Sequence, residues 1–154
     1  MAVGATRQLT ATVAPSDAQQ SVTWSTSSAA TATVDASGLV TAVANGTATI
    51  TATSTVDGTI KGTATVTVTT PVSGVTVAPT SASIAVGATR QLTPTVSPST
   101  ASNKSVTYSS SATGVATVNA SGLVTGVAAG TATITVTTAD GAKTATSAIT
   151  VTAA

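Results

Sequence analysis

The 154-residue sequence has no cysteine, no histidine, no glutamate and no phenylalanine. Without cysteine there is no disulfide and no thiolate chemistry, and the redox compartment stays open. Without these side chains, histidine metal sites, cysteine nucleophiles and histidine-based triads cannot be built. Aromatic residues are 1% of the chain, Trp24 and Tyr108. A core must therefore come from Val, Ile, Leu and Ala. Charge is scarce: five basic and four acidic residues, net +1. No Lys/Arg cluster exists, so the footprint of a nucleic-acid or anionic-membrane binder is missing. Partner binding should depend only weakly on salt. No apolar run approaches the roughly 18 residues that span a bilayer. Neither nucleic-acid binding nor membrane insertion is expected. After Met1, AVGATRQLT lacks the basic and apolar regions of a secretory signal. The chain reads either as one assembled inside a cell or as a piece of something longer.

What is present is present twice. Residues 36–51 read ASGLVTAVANGTATIT, and residues 120–135, 84 positions on, read ASGLVTGVAAGTATIT. Residues 2–13 (AVGATRQLTATV) return as residues 85–96 (AVGATRQLTPTV). A repeat of this length is domain-sized, and it divides the chain into residues 1–70 and 71–154. Thr and β-branched residues dominate, which favours pleated strands over helices. Leu9, Ala11 and Val13 alternate with polar residues, as do Leu92, Pro94 and Val96, so each set predicts a half-buried strand. Pro94 cannot donate to a ladder and belongs on an edge or bulge. Val22 and Trp24 share one face of the next strand, matched by Val106 and Tyr108. Short strands follow at Ala32–Val34 and Ala116–Val118.

Asp35-Ala36-Ser37-Gly38 and Asn119-Ala120-Ser121-Gly122 carry turn chemistry, with the Asx side chain bonding its own backbone and Gly left-handed. Leu39 and Leu123 then enter the core. Ala48, Ile50 and Ala52 point inward, as do Ala132, Ile134 and Val136, with threonines outward. Asp57-Gly58 and Asp140-Gly141 signal hairpins. The last strands return through Val66 and Val68, or Ile149 and Val151. The sequence GVTVAP from Gly74 gives the second repeat a further strand, through Val75 and Val77, for a total of seven. The first repeat has no counterpart to it. Short antiparallel strands between frequent turns imply a β-sandwich.

The entry VGAT-x-QLT, then V-T-W/Y-S, VATV-x-ASGLVT and G-TATIT, resembles group 2 bacterial immunoglobulin-like domains across essentially the whole chain. The resemblance implies an all-β fold: two tandem immunoglobulin-like β-sandwiches without the disulfide, the first lacking its N-terminal strand. It implies no catalytic residues. Such domains occur in invasin-like and intimin-like bacterial surface proteins and as additions to tailed-phage virion proteins. Tyr108 departs from the family pattern by replacing the strand Trp. The expected core is Leu9, Trp24, Val34, Leu39 and Ile50 in the first domain. In the second it is Leu92, Tyr108, Val118, Leu123 and Ile134.

Remaining chemistry is thin. Lys61, Lys104 and Lys143 fall in loops or strand ends, where a solvated role is expected. Asp17, Asp35, Asp57 and Asp140 supply one carboxylate per loop, whereas calcium needs several converging oxygens. Trp24 is in phase with Val22, which places it in the core and not on a sugar-binding platform. Asn45-Gly46-Thr47, Asn103-Lys104-Ser105 and Asn119-Ala120-Ser121 match the glycosylation pattern but read as turns. No cofactor, metal or catalytic site is expected. The expected function is structural and adhesive, as a module of a larger tailed-phage virion protein on the virion surface. The alternative is a stalk or adhesion module on a bacterial cell surface. Expected partners are other subunits of the assembly and, weakly, cell-surface glycans against the outward threonines. Repeat one should take its first strand from upstream sequence or from a neighbouring subunit.

Overall fold

The structure, a computed structural model, describes residues 1–153. The chain forms two compact units, Met1–Thr70 and Pro71–Ala154. No helix occurs among the described residues.

The second unit contains β7 (Gly74–Ala78), β8 (Ser81–Ala85), β9 (Thr89–Gln91), β10 (Thr93–Ser97) and β11 (Val106–Ser110). It continues with β12 (Ala116–Val118), β13 (Leu123–Gly126), β14 (Gly130–Thr138) and β15 (Thr144–Thr152). One layer has the order β11-β14-β15-β8. The other is built from β12-β13-β9 and from β10-β7; β9 and β10 follow one another with Leu92 between. Inward residues of both layers, among them Val77, Leu92, Val124, Ile134 and Ile149, form one buried cluster. Period-two alternation puts them on one face, and sheet-on-sheet packing removes that face from water.

Nine strands therefore form where seven are expected. Ser81–Ala85 is an additional strand, and Thr89–Gln91 forms a ladder of its own. Both follow from the chain changing layers. β7 pairs antiparallel with β10, and then β8 pairs parallel with β15 on the other sheet. β9 pairs with β13 before β10 turns to β7. Pro94 lies on β10, which has a strand on one side only. The Ser97 carbonyl is turned to the β7 side, accepting from Ser73 N at 2.8 Å. Backbone groups alternate sides along a strand, so Thr93 and Thr95 also face β7. The donor that Pro94 lacks faces away.

The first unit contains β1 (Thr6–Gln8), β2 (Val22–Thr26), β3 (Ala32–Val34), β4 (Leu39–Ala42), β5 (Gly46–Ser54) and β6 (Lys61–Val68). Its layers are β1-β4-β3 and β2-β5-β6. They enclose Ala32, Val40, Ala42, Ala48, Ile50, Val66 and Val68. Nothing corresponds to β7. Of β8 only the last rung remains, a parallel bridge between Ala2 and Thr69 that repeats the Ala85–Thr152 pair.

The structure corrects two expectations. Residues 9–13, which carry Leu9, Ala11 and Val13, are not a strand. In their near-copy 92–96, residues 93–96 belong to β10, because β7 is there to pair with them. A strand is a paired state, and alternation without a partner does not make one. Leu39 and Leu123 are only half-buried and belong to neither core cluster. The next residues, Val40 and Val124, are fully buried instead. The turn delivers the chain into β4 and β13 one residue out of the expected phase, and a shift of one exchanges the two faces.

Candidate functional site

The first unit has a groove of about 280 Å³. Residues 9–13 form one wall, residues 60–64 another, and Trp24, Ile50, Ala52 and Ser54 lie between them. These are the counterparts of the elements that hold β7 in the second unit, where β7 pairs with β10 and packs on β14 and β15. The groove thus lies where β7 lies in the second unit. Leu9 lines it half-buried, while its counterpart Leu92, in one buried cluster with Val77 of β7, is 1% exposed. Ile60 stands 44% exposed at the same groove.

One side chain holds the end of this wall at Val13, whose counterpart Val96 turns its backbone groups away from β7. Gln20 Nε2 donates to Val13 O at 2.8 Å, and Val13 N donates to Gln20 Oε1 at 2.7 Å. A primary amide presents the same donor and acceptor as a peptide group, so it holds Val13 as a strand neighbour would. Sequence reasoning missed Gln20. The available signal was its counterpart in the second repeat, Lys104, which cannot form such a pair.

Of the expected core residues, Ile50, Leu92 and Ile134 are fully buried. Leu9, Trp24 and Val34 are half-buried against the first core, as are Tyr108 and Val118 against the second. Trp24 also lines the groove. Burial raises the Tyr108 hydroxyl pKa.

Asp35 and Asp57 serve turns. Asp35 Oδ1 accepts from Ser37 Oγ at 2.6 Å, Ser37 N at 2.8 Å and Leu39 N at 3.0 Å. The Ser37 hydroxyl first, then the Leu39 amide, hold its pKa below the usual carboxylate range. Asn119 Oδ1 makes the same three bonds without charge. Asp57 accepts from Thr59 Oγ1 and N, which lower its pKa in that order. Asp140 Oδ2 accepts from Val72 N at 2.9 Å. Among the described residues no three of His, Cys, Asp or Glu gather as metal ligands.

The family model for the bacterial Ig-like domain (group 2) matches residues 1–56 and 71–149. The chain belongs to this family. The tandem of bacterial Ig-like domains is 52% identical over 71 residues to an "Ig-like virion protein" of Serratia phage KSP90. That match covers 46% of this chain and 28% of the relative. It is 60% identical over 43 residues to a Lacto-N-biosidase of Bifidobacterium bifidum, 28% of this chain and 4% of that enzyme. The chain spans less than a third of either relative. Among solved structures, surface layer protein SbsC domains 1–6 is 27% identical at a TM-score of 0.50, covering 87% of this chain and 20% of that one. Four Ig domains of Dscam1 share the fold at a TM-score of 0.55 and 12% identity, over 98% of this chain and 42% of that one.

Proposed function

We propose that this tandem is a non-enzymatic structural module of a larger tailed-phage virion protein, in a tail tube, fibre or capsid decoration. It is displayed on the virion surface beside other subunits and makes weak, multivalent contacts with the host surface. The 52% identity to a phage Ig-like virion protein carries this reading. The side-chain inventory supports a non-enzymatic role, since Asp35 and Asp57 are engaged in turns and no histidine or cysteine exists. Outward threonines such as Thr47 and Thr131 give uncharged faces whose single contacts are weak and gain from copy number. The alternative, a stalk or adhesion module of a bacterial surface protein, is favoured by the likeness to a surface layer protein.

Antibodies raised against the chain test both readings on purified phage particles and on envelopes of uninfected cells. Gold label on virions supports the first reading. Label on uninfected envelopes supports the second. If neither is labelled, display on a surface is wrong. On glycan arrays the monomer should bind weakly and a multivalent form more strongly.

A further inference from the structure

We propose that the open edge of β11 is a self-association site, on which a second copy of this chain docks the same strand, antiparallel, across a two-fold axis. The four-stranded sheets of the two copies then continue as one.

Strand phase builds this edge. β11 pairs with β14 alone and ends the order β11-β14-β15-β8. Ser111 N donates to Thr133 O at 3.0 Å, and Ala139 N donates to Ser105 O at 2.9 Å. Backbone groups alternate sides along a strand, so Ser105, Thr107, Ser109 and Ser111 face β14. Val106, Tyr108 and Ser110 face outward, and their N–H and C=O groups make no hydrogen bond to any described residue. Such a row is a template for another strand, and edges are commonly guarded by Lys, Pro, bulges or shortness. This unit guards other edges in those ways. Pro94 withholds a donor from the outer side of β10. β12 is 3 residues long, and Ser110 Oγ donates to its Ala116 carbonyl at 2.7 Å. β11 reads VTYSS, with neither charge nor proline.

A second β11 fits the row. With Tyr108 on the two-fold axis, it exchanges both backbone bonds with Tyr108 of the second copy, and Val106 does the same with Ser110. Every outward donor and acceptor of the row is then paired. Thr107 comes opposite Ser109 of the second copy, which sets exposed hydroxyls against each other. Lys104, the nearest charge in sequence, falls opposite Ala112, so no like charges meet. The contact is smaller than the about 1,200–2,000 Å² of a stable interface. It is therefore weak between free chains and gains where copies are held close. In the first unit β2 repeats the row at Val22, Trp24 and Thr26, since Ser27 N donates to Thr49 O and Thr55 N to Ser21 O. The pairing is independent of which particle or envelope displays the module.

The chain has no cysteine, so introduced thiols report the register directly. The test uses the full chain with β2 closed by Thr23→Lys and Ser25→Lys, both exposed positions. One preparation carries Thr107→Cys and another Ser109→Cys. The two-fold pairing sets these positions opposite each other with Cα atoms about 4.5 Å apart, within reach of a disulfide. In oxidised glutathione the mixed disulfide should exceed its statistical proportion over the two like disulfides. It should also form about tenfold faster than the self-disulfide of Thr150→Cys, an exposed site on the inner strand β15, because pairing raises the local thiol concentration. Sedimentation equilibrium gives a second measure. Thr107→Lys with Ser109→Lys sets like charges opposite one another and should weaken association about tenfold. Thr107→Lys with Ser109→Asp sets opposite charges together and should restore it. Disulfides in statistical proportion, a rate no greater than at Thr150→Cys, or equal association of the two charge variants overturns the proposal.

Discussion

The indole of Trp24 fills the space that a side chain at Gly38 would need. A Cβ on Gly38 would stand 2.8 Å from Trp24 Cζ2 and 2.7 Å from Leu9 O. The second unit repeats the relationship, with Gly122 2.7 Å from Tyr108 Cζ by the same measure. Both glycines have positive φ, +85° and +80°, so turn geometry and aromatic packing demand the same residue.

Gly38→Ala and Gly122→Ala are therefore expected to be more damaging than a turn substitution alone. Gly4 has φ +83° with nothing within 4 Å of its Cβ position, and Gly4→Ala should cost about 1–2 kcal/mol for the left-handed backbone. Overpacking should add about 1–3 kcal/mol at Gly38 and Gly122. Denaturant melts of the three variants measure the difference, and equal costs would show that the rings move aside freely.

Trp24→Ala should destabilise the first unit by about 3 kcal/mol, the low end for a truncated aromatic, because the ring is only half-buried. Tyr108 fluorescence should report a second unit that melts as in the parent. A Trp24→Ala protein whose calorimetric profile matched the parent would place the ring outside the core and revive a sugar-stacking role.

The turn carboxylates make the first unit acid-sensitive. The pKa values of Asp35 and Asp57 are lower folded than unfolded, through the Ser37 and Thr59 hydroxyls and then the Leu39 and Thr59 amides. Their contribution is complete above the unfolded value of about 3.9. It is lost as pH falls through the lower folded values. Asn119 makes the second unit's equivalent turn without titrating. Combining Asp35→Asn with Asp57→Asn should flatten the acid limb of the first unit's melting temperature, followed by Trp24 emission. An unchanged acid limb would assign it to other groups.

Gln20→Ala should cost the first unit about 1–2 kcal/mol, because Val13 N and O lose their amide partner. Lys104→Ala at the corresponding place should be nearly neutral. Urea titration of both variants makes the comparison, and equal effects would show that solvent replaces the amide.

Several features are legible in the sequence because their causes are local. Asp35 and Asn119 open turns through bonds to residues two and four positions on, and alternation along β5 and β14 puts Ile50 and Ile134 inside. That residues 1–70 hold no counterpart of GVTVAP can be read from the repeat itself. Other features depend on residues far apart in the chain. The VGATRQLT repeat leads into a strand at Thr93–Ser97 but into chain outside any strand at residues 10–13, because only the second unit has β7 to pair with it. Val40 and Val124, not Leu39 and Leu123, fill the cores, because the angle at which the turn delivers the chain sets the phase. Local hydrogen bonding and side-chain alternation are written into the sequence. Pairing, phase and the fit of Trp24 over Gly38 arise only when two layers meet, since each needs a partner that the local sequence does not contain.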